Sequence, residues 1–178
     1  MPSTLRKVPT SGGPRARPGV KNPRAKIVVR GNRGIKIVRA ATIRKPALEL
    51  YRFWRDPTNL PKLIDHPVTI TATSDAESHW SIRAPFGHTI EWDALLINDE
   101  PGRLIAWRSR EGGDVDHAGT VRFESTPDGD STEVTVALEY DPPGGKLGAA
   151  VGRRTRMSAA AQVDDALRRC KDLMETRK

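Results

Sequence analysis

Cysteine is almost absent from this chain of 178 residues. The single Cys170 excludes an internal disulfide and suits a reducing, cytoplasmic setting. No segment approaches the ~20 apolar residues that span a bilayer, so no transmembrane helix is expected. The N-terminus is basic but has no apolar stretch of the kind a secretory signal needs. Prolines at positions 2, 9, 14 and 18 argue against an amphipathic targeting helix there. There is no glycine-rich loop between a strand and a helix, hence no phosphate cradle. No serine sits in a nucleophile elbow. The histidines His66, His79, His88 and His117 show no metal-ligand spacing and no cysteine pair supports them, so neither a metal nor a cofactor is expected.

Acidic residues are missing from the first 34 positions, which hold nine Lys and Arg. Subtracting these nine from the 30 basic residues leaves 21, against 22 acids, in the rest of the chain. The formal charge of +8 is therefore a property of a tail. Residues 1–34 are rich in Pro, Gly, Ser, Arg and Lys and cannot bury enough apolar surface to offset their ordering entropy. They read either as a solvated, disordered segment or as an electrostatic arm for nucleic acid or an anionic membrane surface. The domain is expected over residues 35–178.

Within that domain the apolar period changes twice. Ile35 to Thr42 alternates and reads as a strand. Pro46 then opens a helix in which Ala47, Leu50, Tyr51 and Trp54 share a face. Asn59 to Ile64 reads as a second short helix. From Val68 the period is two, with strands around Val68–Ala72, Trp80–Ala84, Ile90–Leu96, Leu104–Ser109, Gly119–Glu124 and Glu133–Tyr140, and turn signals between them. One of these signals, Asn98 to Gly102, places a turn after the Ile90 strand. After Pro142-Pro143-Gly144-Gly145 the period becomes helical. Ala160, Val163, Leu167, Cys170 and Met174 recur at steps of three and four, forming one stripe of a long helix between Lys146 and Lys178. Cys170 on that stripe reads as a buried, inert thiol. The expected class is α+β: a curved seven-stranded antiparallel sheet around the long C-terminal helix, with two short helices between strands 1 and 2.

This order, with its local sequences, resembles the START-like (SRPBCC) superfamily of the helix-grip fold. Within it the chain is similar to the polyketide cyclase/dehydrase and coenzyme Q-binding START-type group. The residues carrying the resemblance are Phe53-Trp54-Arg55-Asp56, Asn59-Leu60-Pro61, His79-Trp80-Ser81-Ile82, Pro85-Phe86-Gly87, Glu91-Trp92-Asp93-Ala94, Ile105-Ala106-Trp107-Arg108-Ser109, Gly119-Thr120-Val121-Arg122-Phe123 and Glu139-Tyr140-Asp141-Pro142-Pro143-Gly144-Gly145. The resemblance spans residues ~35–178 and implies binding or carriage of a small hydrophobic ligand: a lipid, a quinone or a polyketide.

The four tryptophans are the informative residues. Trp54 lies on the first helix, and Trp80, Trp92 and Trp107 lie on three strands in phase with apolar neighbours. They either fill the core or line a cavity between sheet and helix, the mostly apolar concavity that ligands use. The candidate cavity residues are Tyr51, Trp54, Trp80, Trp92, Trp107, Phe123 and Tyr140, with Trp107 first among the tryptophans. Tyr51, Arg108, His117 and Tyr140 are candidates for its polar groups. Glu91 and Asp93 lie on the strand face opposite Trp92 and are expected to meet solvent. No buried acid–base pair stands out, so binding without turnover leads. A cyclase or dehydratase acting in the same cavity is the alternative.

Overall fold

The computed structural model describes residues 34–65, 67–83, 89–141 and 149–176, with backbone only for 149–158. The basic tail and the Pro142 to Gly145 stretch lie outside the described residues, as do His66 and His88.

Strand β1 (Ile35–Ile43) leads into α1 (Ala47–Arg55) and a 3-10 helix (Pro57–Lys62). Six strands follow: β2 (Val68–Ala72), β3 (Glu77–Arg83), β4 (Thr89–Glu100), β5 (Leu104–Ser109), β6 (His117–Ser125) and β7 (Thr132–Tyr140). The 28-residue helix α2 (Ala149–Thr176) closes the fold. The seven strands form one antiparallel sheet in the order β1-β7-β6-β5-β4-β3-β2. β2 through β7 are a meander, and β1 returns to pair with β7, so the helix-grip α+β architecture is the observed one.

Local chemistry sets the boundaries. The Asp56 carboxylate accepts from Thr58 N and Oγ1 and starts the 3-10 turn, while Pro57 sits where a backbone donor is not needed. Strand β4 runs to Glu100, past the turn expected from Asn98. The ladder with β5 shifts register between Leu96 and Asn98, a bulge that leaves Ile97 exposed. A bulge adds a residue and breaks strict alternation, which is why the strand reads as finished too early. The actual turn is tighter and uses Gly102 at a φ of 71°, a region open to glycine.

The core gathers Ile43, Leu50, Tyr51, Phe53 and Leu63 from the β1–β2 region. Ile105, Val121, Phe123, Val134 and Val136 come from the sheet, and Leu167, Cys170 and Met174 from α2. Phe53 lies three residues beyond Leu50 and joins it in the core, while Trp54 is half-buried at its edge. Burial pushes the Cys170 thiol up to about 11. The described side chains of α2 dock it in part through polar contacts to β1 and the segment after it. Lys171 Nζ donates to Thr42 O at 2.9 Å, Arg44 N donates to Glu175 Oε1 at 2.8 Å, and Arg39 Nε donates to Asp164 at 3.0 Å.

Candidate functional site

A cavity of about 770 Å3 lies between the sheet, α1, the 3-10 helix and α2. Its floor is the sheet face carrying Trp80, Trp92, Ala94, Leu96, Ile105, Trp107, Val121, Val136, Leu138 and Tyr140. Alternation puts these side chains on one face of successive strands. Its roof is Ala159, Gln162, Val163 and Ala166 of α2, in the two turns that lead up to the buried Leu167. Among the described residues of α2, Leu167, Cys170 and Met174 are buried in the core, and Val163 and Ala166 pack against it while bordering the cavity.

Three placements shape the aromatic wall. Trp80 and Trp92 are cross-strand partners and stack with ring centroids 5.6 Å apart. Trp107 pairs with Gly119, where a Cβ would lie 2.3 Å from the indole Cζ2; glycine is what lets that ring lie across β6. Strand β5 ends at Ser109, and the β5–β6 connection then runs beside β4. Arg110 N donates to Asp93 O at 2.8 Å and Asp114 N donates to Glu91 O at 2.9 Å. This detour brings His117, the first residue of β6, edge-on to Trp92 at 5.2 Å.

Of the expected cavity residues, Tyr51, Trp54, Trp80, Trp92, Trp107 and Tyr140 all border the cavity. Phe123 does not. It lies beneath, 3 % exposed, with its ring edge-on to Tyr51 at 6.1 Å. The polar candidates separate more sharply. The Tyr51 hydroxyl donates to the Asp99 carboxylate, which also accepts from Arg55 Nε at 2.7 Å. Burial, and then Asp99, hold the Tyr51 phenol above its usual range. Arg108 is exposed and is not among the residues bordering the cavity. Tyr140 borders the cavity half-buried, its phenol raised by burial. His117 is 9 % exposed, and its Nε2 has no hydrogen-bond partner among the described residues; the same holds for Trp92 Nε1. Burial pushes the His117 imidazole down to about 4, so it is neutral at neutral pH, although Asp116 pulls the other way.

Glu91 and Asp93 are exposed, as their register requires. Asp93 meets His79 Nδ1 at 2.8 Å, and Glu91 accepts from Ser81 Oγ at 3.2 Å. No cluster of three metal-ligating side chains exists among the described residues. No described helix is long and apolar enough to cross a membrane.

Sequence reasoning put Val163 on the apolar stripe of the long helix but did not name the other roof residues or the rim. Small residues such as Ala159 and Ala166 carry no signal of their own until the helix is placed. The rim carries five carboxylates (Asp56, Asp65, Asp75, Glu77 and Asp165) and the guanidiniums of Arg52 and Arg55. Three of the acids are paired: Asp65 with Arg169, Glu77 with Arg110, and Asp165 with Arg168.

The profile of one family, described as polyketide cyclase / dehydrase and lipid transport, matches residues 34–175. No curated protein matches the chain in sequence. Among solved structures, a Deinococcus radiodurans protein is 37 % identical, with a TM-score of 0.64 over 79 % of this chain and 96 % of its own. The ZhuI aromatase/cyclase from Streptomyces sp. R1128 is 18 % identical, with a TM-score of 0.60 over 80 % of this chain and 94 % of its own. A START superfamily protein from Mycobacterium smegmatis is 11 % identical, with a TM-score of 0.62 over 78 % and 98 %. The last two share the fold.

Proposed function

We propose a function for a chain that belongs to the polyketide cyclase / dehydrase and lipid transport family: it binds a small hydrophobic ligand, of lipid, quinone or polyketide type, between its sheet and α2. The observation that carries this reading is the cavity of about 770 Å3 bordered by all four tryptophans. That volume is within the ~300–1,000 Å3 typical of ligand sites. An apolar guest would exchange water-exposed surface for contact with indole faces, at roughly 25 cal/mol per Å2 of apolar area removed from water.

Binding is favoured over turnover by the inventory of the wall. Two titratable groups are buried there among the described residues, Tyr51 and His117. The Tyr51 hydroxyl is engaged by Asp99, and its phenol is held above its usual range. Among the described residues no carboxylate lies within hydrogen-bond reach of His117 Nε2. General acid–base chemistry needs a partner within reach and a pKa near the operating pH.

The test is a titration of the protein with quinones, fatty acids and aromatic polyketides, followed by tryptophan emission. At least one class should quench saturably, and Trp107→Phe should lower the amplitude. A flat response to every class would remove the reading.

A further inference from the structure

One row of side chains crosses the sheet beneath the cavity. By register it runs Leu96, Trp107, Gly119, Leu138 and Ile37, on β4, β5, β6, β7 and β1. Four of these residues are large and apolar, and Gly119 is a gap among them. The Trp107 indole occupies that gap. A Cβ at Gly119 would lie 2.7 Å from the indole Cη2 and 2.8 Å from Cε2, with Cζ2 closer still. Overlap with three ring atoms means that the ring lies across the strand. Val121, two residues further along β6, shares the face of Gly119 and borders the cavity. The missing side chain would therefore point toward the cavity. Trp107 is half-buried and borders the cavity as well. Its indole is held down on the sheet, with β6 below and the cavity above.

We propose that Gly119 is a specificity-determining residue: by letting Trp107 lie across β6, it sets the depth of the cavity and with it the longest apolar ligand the site takes. This rests on the reading of the cavity as a ligand site and adds a rule for the size of the guest.

The rule follows from the directions open to the ring. With a methyl group beneath it, the indole has to move. The β6 backbone lies below, and Leu138 stands next in the row on β7. Packed side chains and backbone leave little room to give, so the free direction is up, into the cavity. Every ångström the ring rises is taken from the ligand. The converse change, Trp107→Phe, removes the atoms that lie over Gly119 and returns the slot to the ligand. Gly119 touches no guest in either case and acts through the placement of Trp107.

The experiment uses the full chain and a series of straight-chain alcohols, hexanol to tetradecanol, titrated by calorimetry. In the parent protein affinity should rise about fourfold for each further methylene buried, and level off at the chain length that fills the cavity. In Gly119→Ala the affinities of the shortest alcohols should be unchanged and the levelling should come at a shorter chain. In Trp107→Phe it should come at a longer chain, and the double variant should lie between the two. A glycine needed for packing alone would weaken all alcohols by one factor and leave the levelling point where it was. That result, or one levelling point shared by the parent and both single variants, would overturn the role of Gly119 and leave the cavity reading standing. No saturable binding of any alcohol to the parent would remove both. Where Gly119→Ala fails to fold, the direction of the shift in Trp107→Phe decides.

Discussion

His117 shows how much a single position can depend on distant structure. In the sequence it is one histidine of four, two residues before the strand that the alternation begins at Gly119. It becomes a buried cavity residue because β5 stops at Ser109 and the connection to β6 is laced to β4 through Asp93 and Glu91. Alternation reports which face a residue takes, but not whether a neighbouring strand ends early. The burial has a measurable consequence. The folded-state value is near 4 and the ordinary one is 6.5, so between these the unfolded chain binds more protons and stability rises with pH. The stabilisation is fully present above pH ~6.5 and is lost as pH falls toward ~4. Between pH 7 and pH 5 it amounts to about 2 kcal/mol. Urea denaturation should show that loss in the parent protein and not in His117→Phe.

Gly119 is the second residue with a sharp expectation. A methyl group there would overlap the Trp107 ring at 2.3 Å, and overpacking of this kind costs about 1–3 kcal/mol. Gly119→Ala should be destabilised by that amount in chemical unfolding. Adding Trp107→Phe, which lacks the overlapping atoms, should recover part of the loss. Additive effects of the two changes would mean that the ring does not cross the glycine.

At the scale of elements, the strands and the long helix were legible because their apolar periods are unambiguous. The stripe Leu167, Cys170, Met174 is the buried edge of α2, as its spacing implied. The bulge at Ile97 was not legible, because one extra residue looks the same as the end of a strand. The cavity roof was legible only as a helix face. Val163 and Ala166 both pack against the core and border the cavity; how much space is left beside them depends on the distance between helix and sheet, and periodicity carries no distance. The prediction at this scale concerns the buried stripe of α2. Leu167→Asp would place an unpaired charge under α2 at a cost of several kcal/mol, against the ~5–15 kcal/mol that holds a typical domain folded. Circular dichroism should show lost cooperativity. The same new charge in Ala161→Asp, at an exposed position of that helix, should cost only about 0.7 kcal/mol of helix propensity and move the thermal midpoint little. A cooperative, soluble Leu167→Asp protein would mean that the helix is not seated as described.

For the whole molecule, the family profile begins at residue 34 and the first strand at Ile35. Removing residues 1–33 should therefore leave the thermal midpoint within a few degrees, measured by calorimetry; a collapse of cooperative unfolding would show that these residues contribute to the folded body. The same molecule-wide view explains why the aromatic residues were readable as a group. Nine aromatics are few for this length, and six of them, all four tryptophans and both tyrosines, converge on one cavity, the tryptophans from α1, β3, β4 and β5. That convergence makes the central claim directly testable. In a nitrogen-15 correlation spectrum the indole N–H groups form their own well-separated set, one signal per tryptophan. Saturation with an apolar ligand should move all four together, along one titration curve, and leave the amides of exposed residues remote from the cavity, such as Glu124 and Asp130, in place. Saturable binding that leaves the four indole signals where they were would contradict the account.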